Sequence, residues 1–132
     1  MTNAKILIVE DEAIVALELK YRLTKLGYNV CGTASTGVKA IEIAEAKKPD
    51  LALMDVKLKG TMNGIEVAST LQEKMRIPSI FLSAFTDDLT RKQMSSINDF
   101  EHLQKPFEAS ELQKVIEKML AKKKDNLTKK AN

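Results

Sequence analysis

Residues 50–60 read DLALMDVKLKG, an apolar run from Leu51 to Met54 that ends on Asp55 and is followed by Lys57 and Lys59. A short apolar run bounded by polar residues reads as a strand covered on both faces, the usual condition in a parallel sheet. In open sheets of that kind, ligands gather beyond the carboxyl ends of the strands. A carboxylate at the end of such a run is therefore placed for chemistry, and its partners in space should follow the other strands.

KILIV (5–9) and PSIFL (78–82) are runs of the same kind and, with DLALM (50–54), are expected at the centre of the sheet. NVCGTA (29–34) and EHLQ (101–104) complete five strand candidates. Between the first two, Val15, Leu19, Leu23 and Leu26 recur at helical spacing, and Gly27 supplies a stop. Stripes of the same period are Val38, Ile41 and Ala44; Ile65, Ala68, Leu71 and Met75; and Leu112, Val115, Ile116 and Met119. Asp87 to Ser96 forms a fifth, less apolar helical segment. Strands alternating with helices predict an α/β fold, a doubly wound five-stranded parallel sheet flanked by five helices with right-handed crossovers.

A chain of 132 residues, 44% hydrophobic and 30% charged, suits a single core. Residues 1–121 are expected to form the domain, and the Lys-rich stretch 122–132 a frayed tail or linker. That stretch, KKKDNLTKKAN, carries five lysines against one aspartate, or +4, so the remainder of the +3 chain sums to −1. The body is not basic, no aromatic residue interleaves the tail lysines, and direct nucleic-acid binding is not expected. No apolar run approaches a membrane span, and acidic residues follow KILIV where a signal peptide would stay apolar; the expectation is a cytoplasmic protein with no membrane partner. A single cysteine, Cys31, and a single histidine, His102, leave no internal disulfide and no Cys/His metal centre.

The residues after the strands are Glu10, Asp11 and Glu12; Asp55; Ser83 and Ala84; and Lys105 with Pro106. Singly, each has a plain structural reading: Asp11 or Glu12 favours the start of the first helix, and Ser83 satisfies a loop amide. Together they conflict, because carboxylates crowded into one cleft repel one another and raise each other's pKa unless a cation sits among them. Magnesium (Mg2+) suits such a site, since it takes hard oxygen ligands and keeps water alongside one or two carboxylates. With the Lys105 ammonium and the Ser83 hydroxyl, the set describes a place for a phosphoryl group.

The motifs ILIVEDE, LALMDVKLKG, FLSAF and LQKPF, in that order and spacing, resemble the receiver domain of two-component response regulators, the CheY-like domain, from residue 4 to about 121. The resemblance implies the flavodoxin-like strand order 2-1-3-4-5. It implies that Asp55 is the phosphoacceptor, taking its group from a phosphohistidine on a sensor histidine kinase or phosphotransfer protein. Such a chain catalyses its own phosphorylation and dephosphorylation and is not an enzyme acting on a separate substrate. By the same resemblance, Asp11, Asp55 and the Lys57 backbone carbonyl bind Mg2+ and Glu10 acts through a bound water. Ser83 and the Ala84 amide hold phosphoryl oxygens, Lys105 pairs with the phosphoryl group, and the Lys105–Pro106 peptide is cis. Ser83 and His102 match the switch positions, His102 standing where an aromatic residue is usual. The output is a switched protein-interaction surface on a monomer or a phosphorylation-dependent dimer.

Lys57 and Phe85 would flank the face from which a hydrolytic water approaches, Lys57 holding a phosphoryl oxygen and Phe85 excluding water, which is expected to prolong the phosphorylated state. Besides His102, the sequence departs from the family pattern in the loop after Asp55, where no proline follows closely and Gly64 lies nine positions on, in Glu10, which stands where aspartate is common, and in MSSINDFEHLQ, which lacks the small-residue run common before the fifth strand. A haloacid dehalogenase-type phosphohydrolase would need a D-x-D motif after the first strand, which VEDEA does not provide. A flavin carrier of related fold would need Ser, Thr and Gly there. The remaining alternative is a receiver-fold module that binds protein without phosphorylation.

Overall fold

A computed structural model describes residues 4–56, 58, 62–83, 88–95 and 100–131, with the backbone alone for residues 88–90, 94 and 123–131. The elements are β1 (Lys5–Val9), α1 (Ala13–Lys25), β2 (Asn29–Ala34), α2 (Gly37–Lys47), β3 (Leu51–Asp55), α3 (Gly64–Met75), β4 (Ser79–Ser83), α4 (Asp88–Ser95), β5 (Phe100–Gln104) and α5 (Ala109–Ala131). The five strands form one parallel sheet, as the alternation of strands and helices predicts, in the order β2-β1-β3-β4-β5 that the resemblance implies.

Side-chain alternation along the central strands divides the core into two layers. Leu7, Val9, Ala52, Met54 and Phe81 pack with Ala40, Ala44, Val67, Ala68 and Leu71 of α2 and α3. Ile6, Ile8, Leu51, Leu53, Ile80 and Leu82 face the other way, onto Leu19 and Leu23 of α1 and Leu112, Ile116 and Met119 of α5. The unbroken apolar runs are thus what two-sided cover demands, and they hold β1, β3 and β4 at the centre. The flanking strands β2 and β5 are mostly half-buried.

The boundaries of two central strands differ by one residue from the sequence reading, and the shift matters. β3 runs to Asp55 itself, so the carboxylate is the last residue of the strand and not the first of a loop. Asp50 stands before it, its carboxylate accepting the Lys5 amide at 2.8 Å. Likewise β4 ends on Ser83.

On α2 the expected stripe is rotated: Val38 is 56% exposed, while Gly37, Ala40 and Ala44 are buried. The cause is close approach to α3, since a Cβ on Gly37 would lie 2.6 Å from Val67 Cγ2. The closest face is made of the smallest residues, which a search for large apolar side chains passes over. Capping sets the helix starts. Thr36 accepts the Lys39 amide at 3.2 Å, and Asn63 and Glu66 form a reciprocal capping box at the head of α3. Gly27, at φ +95°, follows α1 where the stop was expected. Among the described residues no helix is long and apolar enough to cross a membrane.

Candidate functional site

Parallel register brings the carboxyl ends of β1, β3, β4 and β5 to one edge of the sheet. Val9 lies opposite Met54, Asp55 opposite Leu82, and Ser83 opposite Gln104. Among the described residues, Glu10, Asp11, Asp55, Ser83 and Lys105 are delivered to this edge.

Glu10 is 4% exposed, its peptide N–H donating to the Ala34 carbonyl at 2.9 Å. Its carboxylate accepts the Glu12 amide at 3.1 Å and stands 3.7 Å from the Lys105 ammonium. Glu12 occupies the cap position of α1 without a side-chain capping bond, so the plain capping reading does not hold for it. Burial pushes the Glu10 carboxyl up to about 7; the Glu12 amide opposes this, the Asp55 charge and a hydrogen bond with Asp11 add to it, and Lys105 opposes it. At 3.7 Å the ammonium is too distant for a hydrogen bond and does not cancel the cost of burial.

Glu10, Asp11 and Asp55 each present a carboxylate oxygen, all within 4.8 Å of one another. Three hard oxygen donors, one of them buried with its charge disfavoured, fit a small divalent cation such as magnesium, which would favour the ionised form of all three. A cleft of about 360 Å3 opens beside Glu10 and Asp11, with Lys20 and Lys39 on its walls.

Asp55 is held from behind. Val56 donates to the Leu82 carbonyl at 3.4 Å and accepts the Gly64 amide at 3.1 Å, bringing the start of α3 against the end of β3. A Cβ on Gly64 would lie 2.1 Å from the Asp55 carbonyl oxygen, so only glycine fits there. The nine-residue separation noted in the sequence gave no hint of this contact.

Across the crevice Ser83, 6% exposed, shares a 2.7 Å hydrogen bond with Nε2 of His102. Burial lowers the His102 pKa, and the charge of Arg91 lowers it further, which favours the neutral ring. The Lys105 amide donates to the Ser83 carbonyl at 2.8 Å, and the Lys105–Pro106 peptide is cis. Glu10, Asp11, Asp55 and Lys105 therefore converge, and Ser83 and His102 form a bonded pair beside them. Lys57, Ala84 and Phe85 lie outside the described residues. Sequence reasoning missed Arg22, which reaches the loop after β5; its spacing of four from Glu18 was the only available signal, and that points to an ordinary helix-surface pair.

The model of the response regulator receiver domain matches residues 6–117. The chain is 37% identical over 113 residues to the transcriptional regulatory protein PdtaR of Mycobacterium tuberculosis, covering 86% of this chain and 55% of PdtaR. It spans about half the length of most of the curated relatives it matches most strongly. Among solved structures, the signal receiver domain of a modulated diguanylate cyclase from Desulfovibrio desulfuricans G20 superposes with a TM-score of 0.90 at 35% identity, over 95% of this chain and 99% of that one. The receiver domain of sensor histidine kinase PA1611 from Pseudomonas aeruginosa PAO1, which has a magnesium ion coordinated in its active site cleft, superposes with a TM-score of 0.79 at 27% identity, over 91% and 99%.

Proposed function

This chain belongs to the response regulator receiver domain family, and on that premise we propose that it accepts a phosphoryl group on Asp55 and thereby switches a protein-binding surface in two-component signalling. A carboxylate oxygen of Asp55 attacks phosphorus and forms an acyl phosphate. The bond from phosphorus to the donor breaks, and its electron pair leaves with the donor, a histidine ring nitrogen on a sensor kinase or phosphotransfer protein. Positioning and charge neutralisation supply most of the rate in such transfers. The observation that carries the reading is the gathering of three carboxylates within 4.8 Å, with the Lys105 ammonium 3.7 Å from one of them.

Asp11, Asp55 and, as the family resemblance implies, the Lys57 carbonyl would hold magnesium, with Glu10 acting through water; the bound ion would supply the charge neutralisation that an anionic donor needs near an anionic acceptor. Lys105 then trades Glu10 for a phosphoryl oxygen, while Ser83 and the Ala84 amide hold others. As Ser83 turns toward the phosphoryl group it releases His102, which moves inward and carries the change to the β5 edge of the domain. Partner binding weakens as pH falls and His102 acquires charge. Ile14, 82% exposed at the start of α1 beside the site, continues into exposed Leu17 and Tyr21 on the same helix face and supports docking of a protein donor there. The setting is cytoplasmic, and the domain acts as a monomer or a phosphorylation-dependent dimer.

Incubation with magnesium and acetyl phosphate or phosphoramidate, read by intact mass, tests this. A phosphoryl adduct is expected on wild type and none on Asp55→Asn. Magnesium binding without any adduct on wild type would favour the alternative, a receiver fold that binds protein without phosphorylation.

A further inference from the structure

Arg22 lies on α1, outside the crevice, yet it spans to the loop that carries Lys105. One guanidinium nitrogen donates to the Phe107 carbonyl at 3.1 Å, the group lies 5.8 Å from the centre of the Phe107 ring, and another nitrogen pairs with Glu18 at 3.0 Å. With Val15, Leu19, Lys105 and Pro106, these residues line a recess of about 230 Å3 between α1 and the loop after β5. The loop is thus pinned twice: by the Lys105 amide on the Ser83 carbonyl at 2.8 Å, and by the Phe107 carbonyl on Arg22. Only Pro106 separates the two anchored residues.

We infer that Arg22 is a positioning residue for Lys105, holding the backbone of the Lys105–Phe107 loop against α1 so that only the lysine side chain moves when its partner changes. The inference rests on the proposed phosphoryl transfer for the need it meets, but the pin itself is independent of it. A lysine has a flexible four-carbon stem, and its ammonium reaches a definite place only when the backbone beneath it is fixed. The planar guanidinium can hold the carbonyl, stack on the ring and bind Glu18 at once, which a lysine at 22 cannot do. The Glu18–Arg22 pair joins neighbouring turns of α1 with side chains 62% and 35% exposed and contributes little to global stability, and exchange at Leu53 reports any general unfolding separately from loss of the pin.

The test uses the full chain in two readouts. In metal-free protein, amide hydrogen exchange at Lys105 is expected to speed about tenfold in Arg22→Ala while Leu53 is unchanged, with Arg22→Lys between the two. With magnesium and acetyl phosphate, Arg22→Ala is expected to slow phosphoryl uptake about tenfold in wild type and to add nothing to the slowing caused by Lys105→Ala. Unchanged exchange at Lys105, or effects that add in the double variant, would overturn the inference. If wild type takes no phosphoryl group but Lys105 exchange still responds to Arg22→Ala, the functional reading falls and the pin stands.

Discussion

The two sides of the crevice are built on different principles. Glu10, Asp11 and Asp55 follow or end β1 and β3, neighbouring central strands whose residues Ile6–Val9 and Leu51–Met54 are almost wholly buried. His102 and Lys105 belong to β5 and the loop after it, at an edge where Phe100, Glu101 and His102 are half-exposed. The donor groups are also already engaged, Ser83 with His102 and Lys105 with Glu10. The carboxylates are mounted on buried central strands, whereas His102 and Lys105 stand on a half-exposed edge strand and the loop after it; Ser83, at the end of buried β4, joins the two sides through its bond to His102.

The largest effect that separates the two sides is on stability. Leu53→Ala, in the central strand, is expected to cost about 2–5 kcal/mol, and Leu103→Ala in β5 to fall at the low end of that range, both read by urea unfolding. Equal losses would erase the distinction between a rigid mount and a compliant edge.

Gly64→Ala probes the rigid side more locally. Helix propensity alone predicts a gain of about 0.5–1 kcal/mol, but the new methyl must displace the Asp55 carbonyl, and a net loss of about 1–3 kcal/mol is expected, with slower phosphoryl uptake. A gain in the urea midpoint would mean that the backbone behind Asp55 yields easily.

The smallest effect concerns the compliant side. The folded His102 pKa lies below its ordinary 6.5, so folding favours the neutral ring; the resulting stability is complete above 6.5 and is lost as pH falls through the lower folded value. The urea midpoint of wild type relative to His102→Gln should therefore decline from pH 7.5 toward pH 5, over roughly the range where this histidine takes up its proton. Glu10 titrates in both proteins and cancels from the difference. A constant difference would show that the Ser83–His102 bond is indifferent to the charge of the ring.

Much of this could be read along the chain. The largely apolar runs at 5–9, 50–54 and 78–82 identify the central strands because two-sided burial requires them, and parallel topology then sends the residues that follow to one edge. Glu10, Asp11, Asp55, Ser83 and Lys105 were legible for that reason. Patterning failed at Val38, where close helix contact favours glycine and alanine over larger apolar residues.

Which group holds which was decided only by the tertiary structure. The Ser83–His102 bond joins residues 19 apart, and Arg22 meets Phe107 across 85. Glu10 is shifted toward neutrality by burial that no local window records. Periodicity is a property of a few consecutive residues, and it places side chains on faces and at strand ends. Hydrogen-bond partners, close glycine contacts and pKa shifts depend on distances between elements, which exist only once the crossovers have folded back and packed.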